Sequence, residues 1–114
     1  MKKKKGIVEI KKSVSYLNTI EGTKEDITYW SRYIDTDLKS YNITKMLGGK
    51  DNVIVSKWWT HHGYGGWVYE HQIKDLEVAK QALINQGWDY RVYQDIYRNG
   101  CFIERKILEE NVAN

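Results

Sequence analysis

The sequence contains no proline, a single cysteine, a single phenylalanine, and no apolar run approaching the length that crosses a bilayer. Each absence excludes something. Without proline there is no stiff extended linker, and 114 residues are too few for two cores, so one domain is expected over residues 1–114, with 1–5 as a basic tail and 109–114 as a loose end. Cys101 has no second cysteine to pair with, which excludes an intrachain disulfide and a multi-cysteine metal site. A reducing, cytoplasmic location follows as the expectation. Lys2 to Lys5 look like the start of a signal peptide, but Gly6-Ile7-Val8-Glu9-Ile10-Lys11-Lys12 has no uninterrupted apolar core. No membrane partner is expected.

What is present is an ordinary globular balance, 41% apolar and 29% charged, with an unusual choice of rings: five Trp and nine Tyr. Nearly every aromatic therefore carries a polar atom and suits a half-wet position. The 18 basic residues exceed the 15 acidic ones by +3, a surplus smaller than the four lysines at positions 2–5. The body of the protein is close to neutral, which does not fit a strongly basic nucleic-acid binder.

Apolar residues Val8, Ile10, Val14 and Tyr16 share one parity, the period of a half-buried strand. Thr23-Lys24-Glu25-Asp26 reads as a helix start, and Ile27, Trp30, Ile34, Leu38 and Tyr41 follow at spacings of three and four, which predicts an amphipathic helix ending before Gly48-Gly49. Val53 to Thr60 and Trp67 to Ile73 are rich in β-branched and aromatic residues and flank a glycine-containing turn, a hairpin pattern. Asp75 caps a second helix with Leu76, Val78, Ala79, Ala82 and Leu83 on its buried side and Gly87 as its stop. Trp88 to Tyr97 and Cys101 to Leu108 surround Asn99-Gly100, a two-residue hairpin turn. The predicted fold is α+β: a two-layer sandwich with an antiparallel or mixed sheet of four to five strands and two helices on one face, in β-α-β-β-α-β-β order, ferredoxin-like in outline.

No metal centre, cofactor loop or catalytic constellation is evident. Adjacent histidines such as His61 and His62 point to opposite sides of a strand, so a small metal-dependent hydrolase using them with His71 is a distant alternative. Cys101 is expected to be a small buried hydrophobe. The densest group of rings, histidines and glycines lies around the first hairpin, and its candidate binding residues are Lys57, Trp58, His61, His62, Tyr64, Trp67 and Tyr69. Rings on a hairpin rim can stack on bases. On the last hairpin, Trp88, Tyr90, Val92 and Ile96 are expected to face the helices, leaving Arg91, Tyr93 and Tyr97 with Asp95 on the other side, a composition suited to a protein partner.

His62-Gly63-Tyr64-Gly65-Gly66-Trp67-Val68-Tyr69 resembles the third-strand motif of the RNA-recognition motif family. The resemblance implies that family's β-α-β-β-α-β order and a base-stacking role for Tyr64. Gly66 stands where that motif has an aromatic, and strand one lacks the family's other stacking ring. The leading expectation is a small non-enzymatic binding module that contacts nucleic acid or a nucleic-acid-handling protein. The alternative is a protein-binding inhibitor or adaptor encoded by a phage or other mobile element, and a homodimer through an exposed strand edge is open to either.

Overall fold

The computed structural model describes residues 6–34, 42–60 and 67–112, with the backbone alone for 34, 59 and 60. Six strands form one mixed sheet: β1 (Ile7–Thr19), β2 (Gly22–Ile34), β3 (Val53–Thr60), β4 (Trp67–Ile73), β5 (Asp89–Arg98) and β6 (Cys101–Asn111). Their spatial order is β3-β4-β2-β1-β5-β6. Only β1 and β5 run parallel; all other neighbours are antiparallel. Two helices complete the described elements, the single turn α1 (Ile43–Met46) and the ten-residue α2 (Leu76–Asn85).

The expected two-helix, four-to-five-stranded ferredoxin-like sandwich is therefore incorrect: the fold is mostly β, with one helix longer than a turn among the described residues. The error lies in residues 23–34, which belong to β2 instead of a helix. Thr19 Oγ1 donates to Gly22 O across the tight connection, and β2 then pairs with β1 from Thr19↔Gly22 to Glu9↔Arg32. Ile27, Tyr29, Ser31 and Tyr33 take one face and Thr28, Trp30 and Arg32 the other, so Ile27 and Trp30, paired on the supposed helical stripe, sit on opposite sides of a sheet. Leu38 and Tyr41 lie outside the described residues. The β-α-β-β-α-β order implied by the RNA-binding resemblance falls with that helix.

The local readings at Asp75, Gly87 and Asn99-Gly100 hold. Asp75 caps α2 by accepting from the Glu77 and Val78 amides, and the helix ends with Gly87 N donating to Ile84 O and Trp88 N donating to Leu83 O, the paired bonds of a left-handed stop with Gly87 at φ +84°. Val78, however, is exposed. At Asn99-Gly100 both residues have positive φ, the twist a two-residue hairpin requires. The predicted loose end begins later than residue 109, because β6 continues to Asn111. Cys101 is exposed, not buried.

One face of the sheet is dry at its centre. Val8, Ile10, Ile73, Tyr90 and Val92 pack there against Ile43, Met46 and Leu47 around α1, Ala79 and Leu83 of α2, and Trp88. The buried Asn52 side chain ties the two helical segments together, donating to Leu47 O and Asp75 O and accepting from the Asp75 amide. No described helix is long and apolar enough to cross a membrane. Beyond Lys11↔Tyr93 the parallel pairing stops, and the hairpins β1–β2 and β5–β6 leave the sheet at the same end as two-stranded ribbons.

Candidate functional site

At the opposite end from the ribbons, β3 and β4 carry an aromatic corner on the helix-bearing side. Register places Trp58 opposite Tyr69, and Tyr69 opposite Tyr33 of β2. Trp58 meets Trp67 edge to face with ring centroids 4.6 Å apart, while Tyr69 stacks on Tyr33 at 5.2 Å and Tyr33 on His71 at 5.9 Å. Trp58 is 63% exposed and Trp67 38%, so the outer two rings face solvent and the inner three grade into the core. This is a continuous ring surface with one wet end, the form of a stacking platform or of an interface anchor.

His71 and Ser31 face each other on β4 and β2 just inside that corner. Both are buried, and neither His71 Nδ1 nor Ser31 Oγ finds a hydrogen-bond partner among the described residues. Burial pushes the His71 imidazole below its ordinary pKa of 6.5, which keeps the ring neutral near pH 7. Among the described residues no group of three His, Cys, Asp or Glu side chains converges on a point that could hold a metal ion.

The other face of the sheet has no described helix against it and carries many of the charges. A single row of facing residues crosses all six strands, Lys57 (β3), Glu70 (β4), Arg32 (β2), Glu9 (β1), Arg91 (β5) and Glu110 (β6), with the sign alternating at every step. Arg32 Nε donates to Glu70 Oε1 at 3.1 Å, and Arg91 lies 3.6 Å from Glu9 and 3.4 Å from Glu110. Alongside the row, Arg105 forms a two-pronged pair with Asp95 at 2.8 and 3.3 Å and lies 4.0 Å above the Tyr93 ring, while Lys57 sits 5.0 Å over Trp30. The Arg105 guanidinium holds the Asp95 carboxyl below the usual carboxylate range, and burial raises the Tyr93 hydroxyl against the pull of Arg32 and Arg105. The result is a polar face whose charges neutralise one another.

The sequence candidates thus divide between two surfaces. Trp58, Trp67 and Tyr69 come together at the aromatic corner; Lys57, Arg91, Tyr93 and Tyr97 lie on the open face; His61, His62 and Tyr64 fall outside the described residues. The expected sidedness of β5 is correct, with Tyr90 and Val92 inward and Arg91, Tyr93, Asp95 and Tyr97 outward. Tyr93 is nevertheless only 2% exposed, because Arg105 roofs it. Sequence reasoning missed Tyr33, which completes the corner, and Glu9, Arg32, Glu70, Glu110 and Arg105 on the charged face. The alternation of Tyr29, Ser31 and Tyr33 was the available signal for the first; the row of charges has none in sequence, since it exists only once six strands are in register. Set against family models, curated proteins and solved structures, the chain matches none of them.

Proposed function

We propose that the protein is a non-catalytic binding module that anchors a protein partner on the aromatic corner of β3 and β4. One observation carries the reading: Trp58, a large ring held edge-on by Trp67, stands 63% exposed at the rim of a rigid sheet. Tryptophan and tyrosine in such rigid positions contribute most per residue to protein interfaces, since they bury large area and lose little rotamer freedom. Lys57, which neighbours Trp58 in sequence, is turned to the other side of the sheet, over Trp30. The arginines of the open face are engaged with carboxylates. A phosphate backbone would have to displace those partners, which favours protein over nucleic acid.

Nucleic acid is the second reading, favoured by the stacking surface itself. We place either activity in a reducing compartment, in keeping with the lone, exposed Cys101 thiol. The experiment is capture from nuclease-treated extract on the immobilised chain, with Trp58→Ala alongside Tyr97→Ala as a control on the other face. Retention of a partner that Trp58→Ala weakens by roughly tenfold or more, the size of a hot-spot truncation, supports the protein reading. Binding of a single-stranded oligonucleotide at low salt that Trp58→Ala abolishes would replace it with the second.

A further inference from the structure

The outer edge of β6 is unusual for a terminal strand. It is eleven residues long, has no proline, is exposed at every position except Glu109, and displays Phe102, Ile103, Ile107 and Leu108 to solvent. Along it runs a row of backbone N–H and C=O groups with no strand beside it among the described residues, a ready template for a further strand. We propose that β6 is the seam of a symmetric dimer, in which a second copy of this chain adds its own β6 antiparallel to the first. Arg105 then faces Glu110 of the second copy and Lys106 faces Glu109 of the second copy.

Geometry selects this register. A two-fold axis normal to the sheet carries each face of one copy onto the same face of the other, so facing residues must share a side. In an unbroken strand that condition centres the axis on a residue. Centring it on Arg105 sets Arg105 against itself, and centring it on Lys106 sets Lys106 against itself; like charges directly opposite destabilise a pair. β6 is not unbroken. Its register against β5 passes from Tyr93↔Ile107 to Val92↔Glu109, leaving Leu108 as an inserted residue. On the near side of that bulge Arg105 and Ile107 lie on the open face and Glu104 and Lys106 on the helix face; beyond it Glu110 lies on the open face and Glu109 and Asn111 on the helix face. An axis between Ile107 and Leu108 therefore matches sides throughout: Arg105 with Glu110, Lys106 with Glu109, Glu104 with Asn111, and the Ile107 and Leu108 side chains of both copies at the centre. The bulge makes the complementary register possible.

The charged row on the open face gives a second, separate match. Within one copy it ends at Glu110. In the proposed register the next residue across is Arg105 of the second copy, followed by its own facing residue, Asp95. The sequence of signs continues without a break from one sheet into the next. Lys106, which has no ion pair among the described residues of its own chain, gains one.

The test uses the full chain. Sedimentation equilibrium at micromolar concentration is expected to give the dimer mass, and Lys106→Glu, which turns both copies of one attractive pair into repulsion, to raise the dissociation constant by roughly tenfold or more with an unchanged circular dichroism spectrum. Register is read by cross-linking in a Cys101→Ser background. Glu104→Cys and Asn111→Cys proteins, mixed and oxidised, are expected to form a disulfide dimer, whereas each alone is not, since its two cysteines would lie seven residue steps apart, roughly 24 Å along the strand. A monomer at all concentrations, a cross-link in either protein alone, no cross-link in the mixture, or polymers growing beyond two would each overturn the proposal. This dimer does not involve the aromatic corner, so loss of partner capture on Trp58→Ala leaves it untouched.

Discussion

The two faces of this sheet come from alternate residues of the same strands, yet they achieve stability by different means. Toward the helices, Val8, Ile10, Tyr90 and Val92 are almost wholly removed from water. Their immediate neighbours Glu9 and Arg91 point the other way and pair with each other instead. A helix-free face with the same apolar content would be a large exposed patch prone to association, and a face of one charge would repel itself across every strand pair. Alternating the sign from Lys57 to Glu110 avoids both. The lesson is that the open face is made compatible with water, while the covered face holds the fold together.

Substitutions should separate these roles by size. Leu83→Ala removes a fully buried side chain from the contact of α2 with the sheet and is expected to cost about 3 kcal/mol in chemical denaturation, the transfer loss plus the cavity left behind. Glu9→Gln keeps the shape but withdraws the negative charge lying 3.6 Å from Arg91 and 4.0 Å from Arg105, and is expected to cost only about 0.5–1 kcal/mol, since the groups are partly solvated. The second effect should shrink further at high salt, where exposed pairs are screened, and the first should not. Equal losses for the two variants would mean that the charged face also holds the fold.

How much of this was legible in the sequence depended on whether an element is decided locally. The Asp75 cap, the Gly87 stop and the Asn99-Gly100 turn are each fixed by a few adjacent residues, and each stands as the sequence indicated. Residues 23–34 are decided elsewhere. They offer a helical spacing in Ile27, Trp30 and Ile34 and a strand spacing in Ile27, Tyr29 and Tyr33, and what selects the second is the long unpaired side of β1, eleven residues of which find partners in β2. Thr23 and Asp26, which imitate a helix cap, instead sit near the tip of the ribbon. The aromatic corner was half visible: Trp58, Trp67 and Tyr69 belong to one hairpin, whereas Tyr33 joins them only because β2 is a strand. The charged row could not be read at all, because its six members are spread from Glu9 to Glu110 and meet only through register.

The smallest effect tests the covered face at a buried polar side chain. His71 is only 8% exposed, with Ser31 opposite it and the Tyr33 ring stacked against it. Burial disfavours its charged form, so its folded pKa lies below 6.5. The unfolded chain therefore takes up a proton that the folded chain resists as the pH falls through 6.5. The contribution of His71 is complete above that value and declines below it, levelling off once the pH passes the folded pKa. On the open face the Asp95 carboxyl is lowered from 3.8 by its pair with Arg105, so its contribution is lost only as the pH falls below that value. Urea melts at pH 7, 6 and 5 should show the midpoint falling, and His71→Phe, which keeps a ring against Tyr33, should lose that part of the fall. Parallel pH dependences for the two proteins would show that the buried imidazole is not what ties stability to pH on the covered face.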